Sequence, residues 1–178
     1  MVSKLLLAAL ESFHKGLEQN SDSVITGRLA DCYFDIRSGI GFNKTPDNYG
    51  AFPTDPYSHT PGFAGAKQPG MTGQVKEEVI ARLQELGVQV VNGCVTFNPI
   101  ILRKSEFLSG SDTLVYFDIN GDQKSVPLEA GQLGFTYCQV PVVYSLAEHT
   151  SMQLSFADGS SEIITGNSID SDLSMAIF

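Results

Sequence analysis

Asp55, Tyr57, His59, Lys67, Thr72 and Gly73 are the residues of this sequence whose types and spacing suit chemistry. They fall in residues 49–86, YGAFPTDPYSHTPGFAGAKQPGMTGQVKEEVIARLQEL, which read as an irregular loop running into an amphipathic helix. Thr72-Gly73 opens the helix, where unpaired N–H groups and a partial positive charge can hold a phosphate or a sugar hydroxyl. Lys67 adds a full charge just upstream. Asp55 and His59, four residues apart in a rigid segment, can bind a sugar or move a proton. Ordinary structure explains each feature as well: Thr72 as a simple N-cap, Asp55 as a turn residue closing on its own backbone.

Other chemistries fit poorly. Glu77 and Glu78 are neighbours on a helix and point about 100° apart, so they do not share one site; they read as solvated carboxylates near a helix start. Ser58 beside His59 makes no triad, and no Gly-x-Ser-x-Gly is present. His14 and His149 are far from His59, so no metal set is evident, and no cofactor is implied.

The loop owes its order to composition. Prolines at 46, 53, 56, 61 and 69 fix φ, while glycines at 50, 62, 65, 70 and 73 permit sharp turns. Phe52, Tyr57 and Phe63 are costly to leave in water, so an ordered, site-forming loop is expected.

Around this stretch the pattern predicts helices first and strands afterwards. Leu6, Leu10, Phe13 and Leu17 give a helix over 3–19, capped by Ser3 and ended at Asn20-Ser21-Asp22. Residues 29–36, LADCYFDI, read as a short strand or an extended segment, and residues 37–41 as a turn. Val75, Val79, Leu83 and Leu86 form the expected buried stripe of a helix over 72–86, with Gly87 beyond its end. Asn92-Gly93 between 88–91 and 94–97 calls for a type I′ hairpin. Strands follow at 113–119, 123–128, 135–146 (broken by Pro141), 151–157 and 160–165, with turns at Asn120-Gly121-Asp122 and Asp158-Gly159. The final LSMAIF reads as an apolar strand whose abrupt stop suggests a truncated chain. The expected fold class is α+β: a helical, loop-rich half over 1–87, its helices either packed on the sheet or the last pieces of a larger helical domain, then an antiparallel β-sandwich-like domain over 88–178.

Bulk properties narrow the partners. At 178 residues, with 42% apolar residues, the chain can bury a core. A formal net charge of −9 argues against nucleic acid. No apolar run is long enough to span a membrane, and the N-terminal run stops at Glu11, too soon for a signal peptide. Cys32, Cys94 and Cys138 lie in separate apolar runs, which suggests buried, reduced thiols in a cytoplasmic protein. The wide Leu6–Leu17 stripe would invite a homo-oligomer, or contact with an N-terminal domain absent from this sequence.

The order Asp55-Pro56-Tyr57, a Gly-rich segment, Thr72-Gly73, Glu85-Leu86-Gly87, a short hairpin and Phe97-Asn98-Pro99 resembles the end of the inverting disaccharide phosphorylases. That group, with the related glycoside hydrolases, has an (α/α)6 barrel with β-domains. The resemblance covers roughly residues 49–102. It implies that Thr72 and Gly73 match a phosphate-contacting Thr-Gly, and that Asp55-Pro56-Tyr57 matches a cavity-lining segment. The family's Trp-containing Gly-Gly-Trp-Thr-Trp run is replaced here by Ala66-Lys67-Gln68-Pro69-Gly70-Met71. Its catalytic acid lies upstream, so the resemblance implies no catalytic residue in this chain. The expected ligand is a carbohydrate or phosphate held by Asp55, Tyr57, His59, Lys67, Thr72 and Gly73, within a glycoside hydrolase- or phosphorylase-like protein. The competing expectation is a stand-alone β-rich binding or assembly module without enzymatic activity.

Overall fold

The computed structural model describes residues 2–38 and 72–177. The chain is α+β, with helices followed by antiparallel hairpins. It divides into two compact units, residues 1–85 and 86–178.

The first unit contains α1 (Val2–Glu18), α2 (Ser23–Ser38) and α3 (Thr72–Glu85). The apolar stripe of α1 is buried at Leu6, Leu10 and Phe13, and α1 packs on both α2 and α3. The stripe expected to invite self-association is therefore covered within the unit. Asn20 adopts φ 51° at the end of α1, and the Asp22 carboxylate accepts from the Val24 N–H at 2.8 Å to start α2. Gly16 lets the two helices approach: a Cβ there would lie 3.3 Å from the Thr26 methyl.

Several local expectations are corrected. Residues 29–36 are not a strand but the second half of α2, because Thr26, Tyr33 and Phe34 lie on one helical face and are buried together. Arg37 and Ser38 are helical too, and the remainder of the expected turn lies outside the described residues. Ser3 is inside α1 rather than capping it, and its buried hydroxyl donates to Glu78 Oε1 at 2.8 Å. The stripe expected on α3 holds at Leu86, which is buried, and in part at Leu83, which is half-buried, but not at Val79. Val79 is 53% exposed and Ile80 is exposed, whereas Glu77, Ala81 and Glu85 are buried.

The second unit holds β1 (Val88–Val91), β2 (Cys94–Phe97), β3 (Asp112–Phe117), β4 (Gln123–Leu128), β5 (Gln132–Tyr137), β6 (Val140–Ser145), β7 (Ser151–Ser155) and β8 (Ser161–Thr165). Among the described residues these strands pair as four two-stranded antiparallel sheets, each joining consecutive strands. Val91 pairs with Cys94 across Asn92 (φ 53°) and Gly93 (φ 82°), the backbone that a type I′ turn requires. The loops 118–122 and 156–160 use one device twice. In each, the first N–H bonds the carbonyl four residues on, and a glycine N–H returns to the first carbonyl. The Asp118 and Asp158 carboxylates collect the intervening N–H groups.

The long segment at 135–146 is two strands, turning at Cys138 (φ 48°) and Gln139 (φ 66°). Neither residue announces a turn, since left-handed backbone usually recruits Gly or Asn. The C-terminal LSMAIF segment is not a strand either. Asp170 caps α4 (Ser171–Met175) by accepting from the Leu173 N–H at 2.9 Å. Ser174, buried on α4, accepts from the Val95 N–H at 2.8 Å and donates to the Ile169 carbonyl at 3.1 Å. Residues 167–169 pair beside β2, and Val95 and Ile169 are buried together with Leu86 and Val88. Tyr144 stacks edge-on against Phe97 and Phe135, and its hydroxyl donates to the Leu86 carbonyl at 2.5 Å. Burial holds that phenol above its ordinary pKa.

Candidate functional site

Asp55, Tyr57, His59 and Lys67 lie outside the described residues, so their grouping with Thr72 and Gly73 is not observed. Thr72 and Gly73 are the first two residues of α3, one position inside the expected cap.

Within the first unit the polar groups that converge belong to a different set. Glu85, 0% exposed at the end of α3, accepts from the Tyr33 hydroxyl of α2 at 2.9 Å. Its other contacts are ion pairs, with Arg37 Nη1 at 3.1 Å and Arg82 Nη1 at 3.2 Å. A carboxylate removed from water is tolerable only when its oxygens are matched in this way. Tyr33 is 1% exposed, and burial first, then the Glu85 charge and hydrogen bond, push its phenol well above the ordinary range. At neutral pH it is therefore a donor.

This network borders a pocket of about 390 Å³ lined by residues of all three helices, among them Leu6, Arg37, Glu78, Val79, Ala81 and Arg82. Glu77 lies one residue along α3 from Glu78 and is 6% exposed, with no hydrogen-bond partner at Oε2. Its reading as a solvated carboxylate is overturned, because α3 presents the Glu77-Ala81-Glu85 face inward. Glu78 is half-buried and tied to Ser3.

The sequence hides this network. Glu85 resembles any helix-surface glutamate, and Tyr33 falls in a segment whose pattern reads as extended. Once α2 is recognised as a helix, Tyr33 and Arg37 stand four apart on one face, and Arg82 and Glu85 stand three apart on α3. Those spacings are the available clue.

The thiols are also more open than expected. Cys32 and Cys138 are exposed and Cys94 is half-buried, all three unbridged. Cys32 is turned outward by the helical phase of α2, and Cys138 sits at a hairpin tip. Among the described residues no group of three or more His, Cys, Asp or Glu could hold a metal ion, and no helix is long and apolar enough to cross a membrane.

His14 offers a separate test of the helical unit. Its Nε2 is buried without a partner; burial lowers its pKa below 6.5, partly opposed by Glu18. The unfolded chain then binds the proton at higher pH than the folded one. The stability this group confers is full above pH 6.5, and falls as pH drops from there through the folded pKa. Urea titrations of the wild type between pH 7.5 and 5 should show that loss, and His14→Gln should remove its share of the pH dependence.

Comparison with protein families finds no match, and comparison with curated protein sequences finds none either.

Proposed function

We propose that this chain is the C-terminal portion of a glycoside hydrolase- or phosphorylase-like protein. In this reading it contributes carbohydrate- or anion-binding residues and is not catalytically complete by itself. The observation that carries the reading is the start of α3 at Thr72-Gly73, directly after the Asp-Pro-Tyr and Gly-rich segment. A 14-residue helix beginning there offers N–H donors and partial positive charge at the position the resemblance requires. The packing of α1 on α2 across a short connection is compatible with the hairpins of a helical barrel, and the hairpins of the second unit with a β-sandwich-like domain. The free cysteines support a reducing, cytoplasmic setting.

The test is direct titration of the full chain with inorganic phosphate and with cellobiose. Saturable binding is expected for at least one of them. Thr72→Ala should weaken phosphate binding by about 1–3 kcal/mol, the range for a charge-assisted hydrogen bond. If neither probe binds, the reading is lost; if phosphate binds Thr72→Ala as it binds the wild type, the start of α3 is not the anion site.

A stand-alone β-rich binding or assembly module without enzymatic activity is the second reading. It is favoured by one observation: Val115 and Phe117 of β3, with Ile119 just beyond, project exposed from alternate positions. Concentration-dependent self-association that Phe117→Ser abolishes, with no phosphate or sugar binding, would select it.

A further inference from the structure

The geometry points to the three-helix pocket as a binding site for a small, neutral polyhydroxyl molecule, held by Glu78 beside the apolar side chain of Val79. The proposal rests on the carbohydrate reading above, and deepens it by moving sugar recognition from the start of α3 to the middle of that helix. Size comes first. About 390 Å³ is within the range of small-molecule sites and suits one or two sugar rings.

Charge then selects the class. The charged residues lining the pocket among the described residues are Arg37, Arg82, Glu78 and Glu85, two of each sign. Among these residues the two signs balance, which favours neither a free anion such as phosphate nor a simple cation. The wall does offer closely spaced donors and acceptors, which match vicinal hydroxyl groups. Glu85 is committed to Tyr33 and the two arginines, so it sets the shape of the wall rather than taking ligand. Glu78 is different. Ser3 holds its Oε1 at 2.8 Å, which fixes the carboxylate and leaves Oε2 to accept from a ligand hydroxyl. Leu6 and Ala81 lie in the pocket wall almost without exposure, and Val79, 53% exposed beside them, supplies apolar surface for the C–H face of a ring.

The orientation of α3 supports a purpose for this face. The helix turns Val79 and Ile80 outward while keeping Glu77 and Glu85 inside, an arrangement that burial of apolar area alone would reverse.

The experiment uses the full chain with D-glucose, cellobiose and inorganic phosphate as separate probes, read by calorimetry and by amide shifts in isotope-labelled protein. One of the sugars is expected to bind saturably at millimolar concentrations, shifting amides of α1 and α3. Glu78→Gln should weaken that binding about tenfold, as loss of a charged acceptor does. Val79→Trp, at an exposed position that leaves the buried network intact, should block it. Thr72→Ala should leave it unchanged, which separates this site from the one at the start of α3. Circular dichroism establishes which of the two pocket variants is folded, and either one decides. Sugar binding unaffected in a folded variant overturns the pocket, as does phosphate binding that Val79→Trp blocks. Sugar binding lost in Thr72→Ala alone removes the pocket while the carbohydrate reading stands.

Discussion

Glu85→Ala is expected to destabilise the helical unit by about 3 kcal/mol, toward the lower end of what breaking a buried ion pair costs. Three groups converge on this one carboxylate: the Tyr33 hydroxyl, which donates to it, and the Arg37 and Arg82 guanidiniums, which pair with it as ions. Alanine leaves the phenol, itself buried, without its acceptor, and strips the guanidiniums of their counter-charge. Arg82 is 37% exposed at its side chain, so water recovers part of its solvation. Both arginines also make further contacts, which again lowers the cost. Glu85→Gln keeps an acceptor of the same shape and should lose less. Tyr33→Phe leaves the carboxylate paired with both arginines and should cost about 1 kcal/mol. The measurement is urea unfolding followed by far-UV circular dichroism. A double-mutant cycle between Tyr33→Phe and Glu85→Gln should return a favourable coupling. A stability change below about 1 kcal/mol for Glu85→Ala would mean that the carboxylate is hydrated and the network absent.

The same network shows where sequence reading succeeds and where it stops. The stripe of α1 is legible because leucines and Phe13 repeat at helical spacing, and the structure buries Leu6, Leu10 and Phe13. Asn92-Gly93 is legible because those two residues are the ones that accept positive φ at both turn positions. The phase of α3 is legible only in part, at Leu83 and Leu86. Val79, Ile80 and Leu83 suggest one buried face, yet tertiary pairing through Ser3, Tyr33 and Arg37 draws Glu78 and Glu85 inward instead. Local pattern cannot carry that information, since the partners lie 75 and 52 residues away. The turn at Cys138-Gln139 is hidden for another reason: its residues tolerate the left-handed backbone without advertising it. α4 was legible in principle, through Asp170 as a cap, but its apolar tail imitates a strand. Of the expected site, Thr72 and Gly73 are placed at a helix start, and Asp55, Tyr57, His59 and Lys67 lie outside the described residues.

Gly87→Ala should be the most damaging single-methyl change in the β unit. Gly87 has φ +75°, in the left-handed region, and a Cβ built there would fall 2.1 Å from the Asn98 carbonyl carbon and 2.3 Å from Pro99 N. Those neighbours are backbone and cannot rotate away. The Asn98 N–H also donates to the Gly87 carbonyl at 2.8 Å, extending the β1–β2 ladder by one step. A methyl group must therefore either break this bond or push Asn98-Pro99 outward, away from a core that includes Leu86, Val88 and Ile101. Backbone strain of about 1–3 kcal/mol adds to an overpacking cost of similar size. Gly93→Ala is the matched control. Its φ of +82° is as left-handed, but nothing lies within 4 Å of its Cβ, so only the conformational cost applies. That cost is about 1–2 kcal/mol. The two variants should differ by at least about 1 kcal/mol in chemical denaturation of the β unit, with Gly87→Ala the weaker. Equal losses would show that Asn98 and Pro99 do not close on Gly87, and that only its backbone angle calls for glycine there.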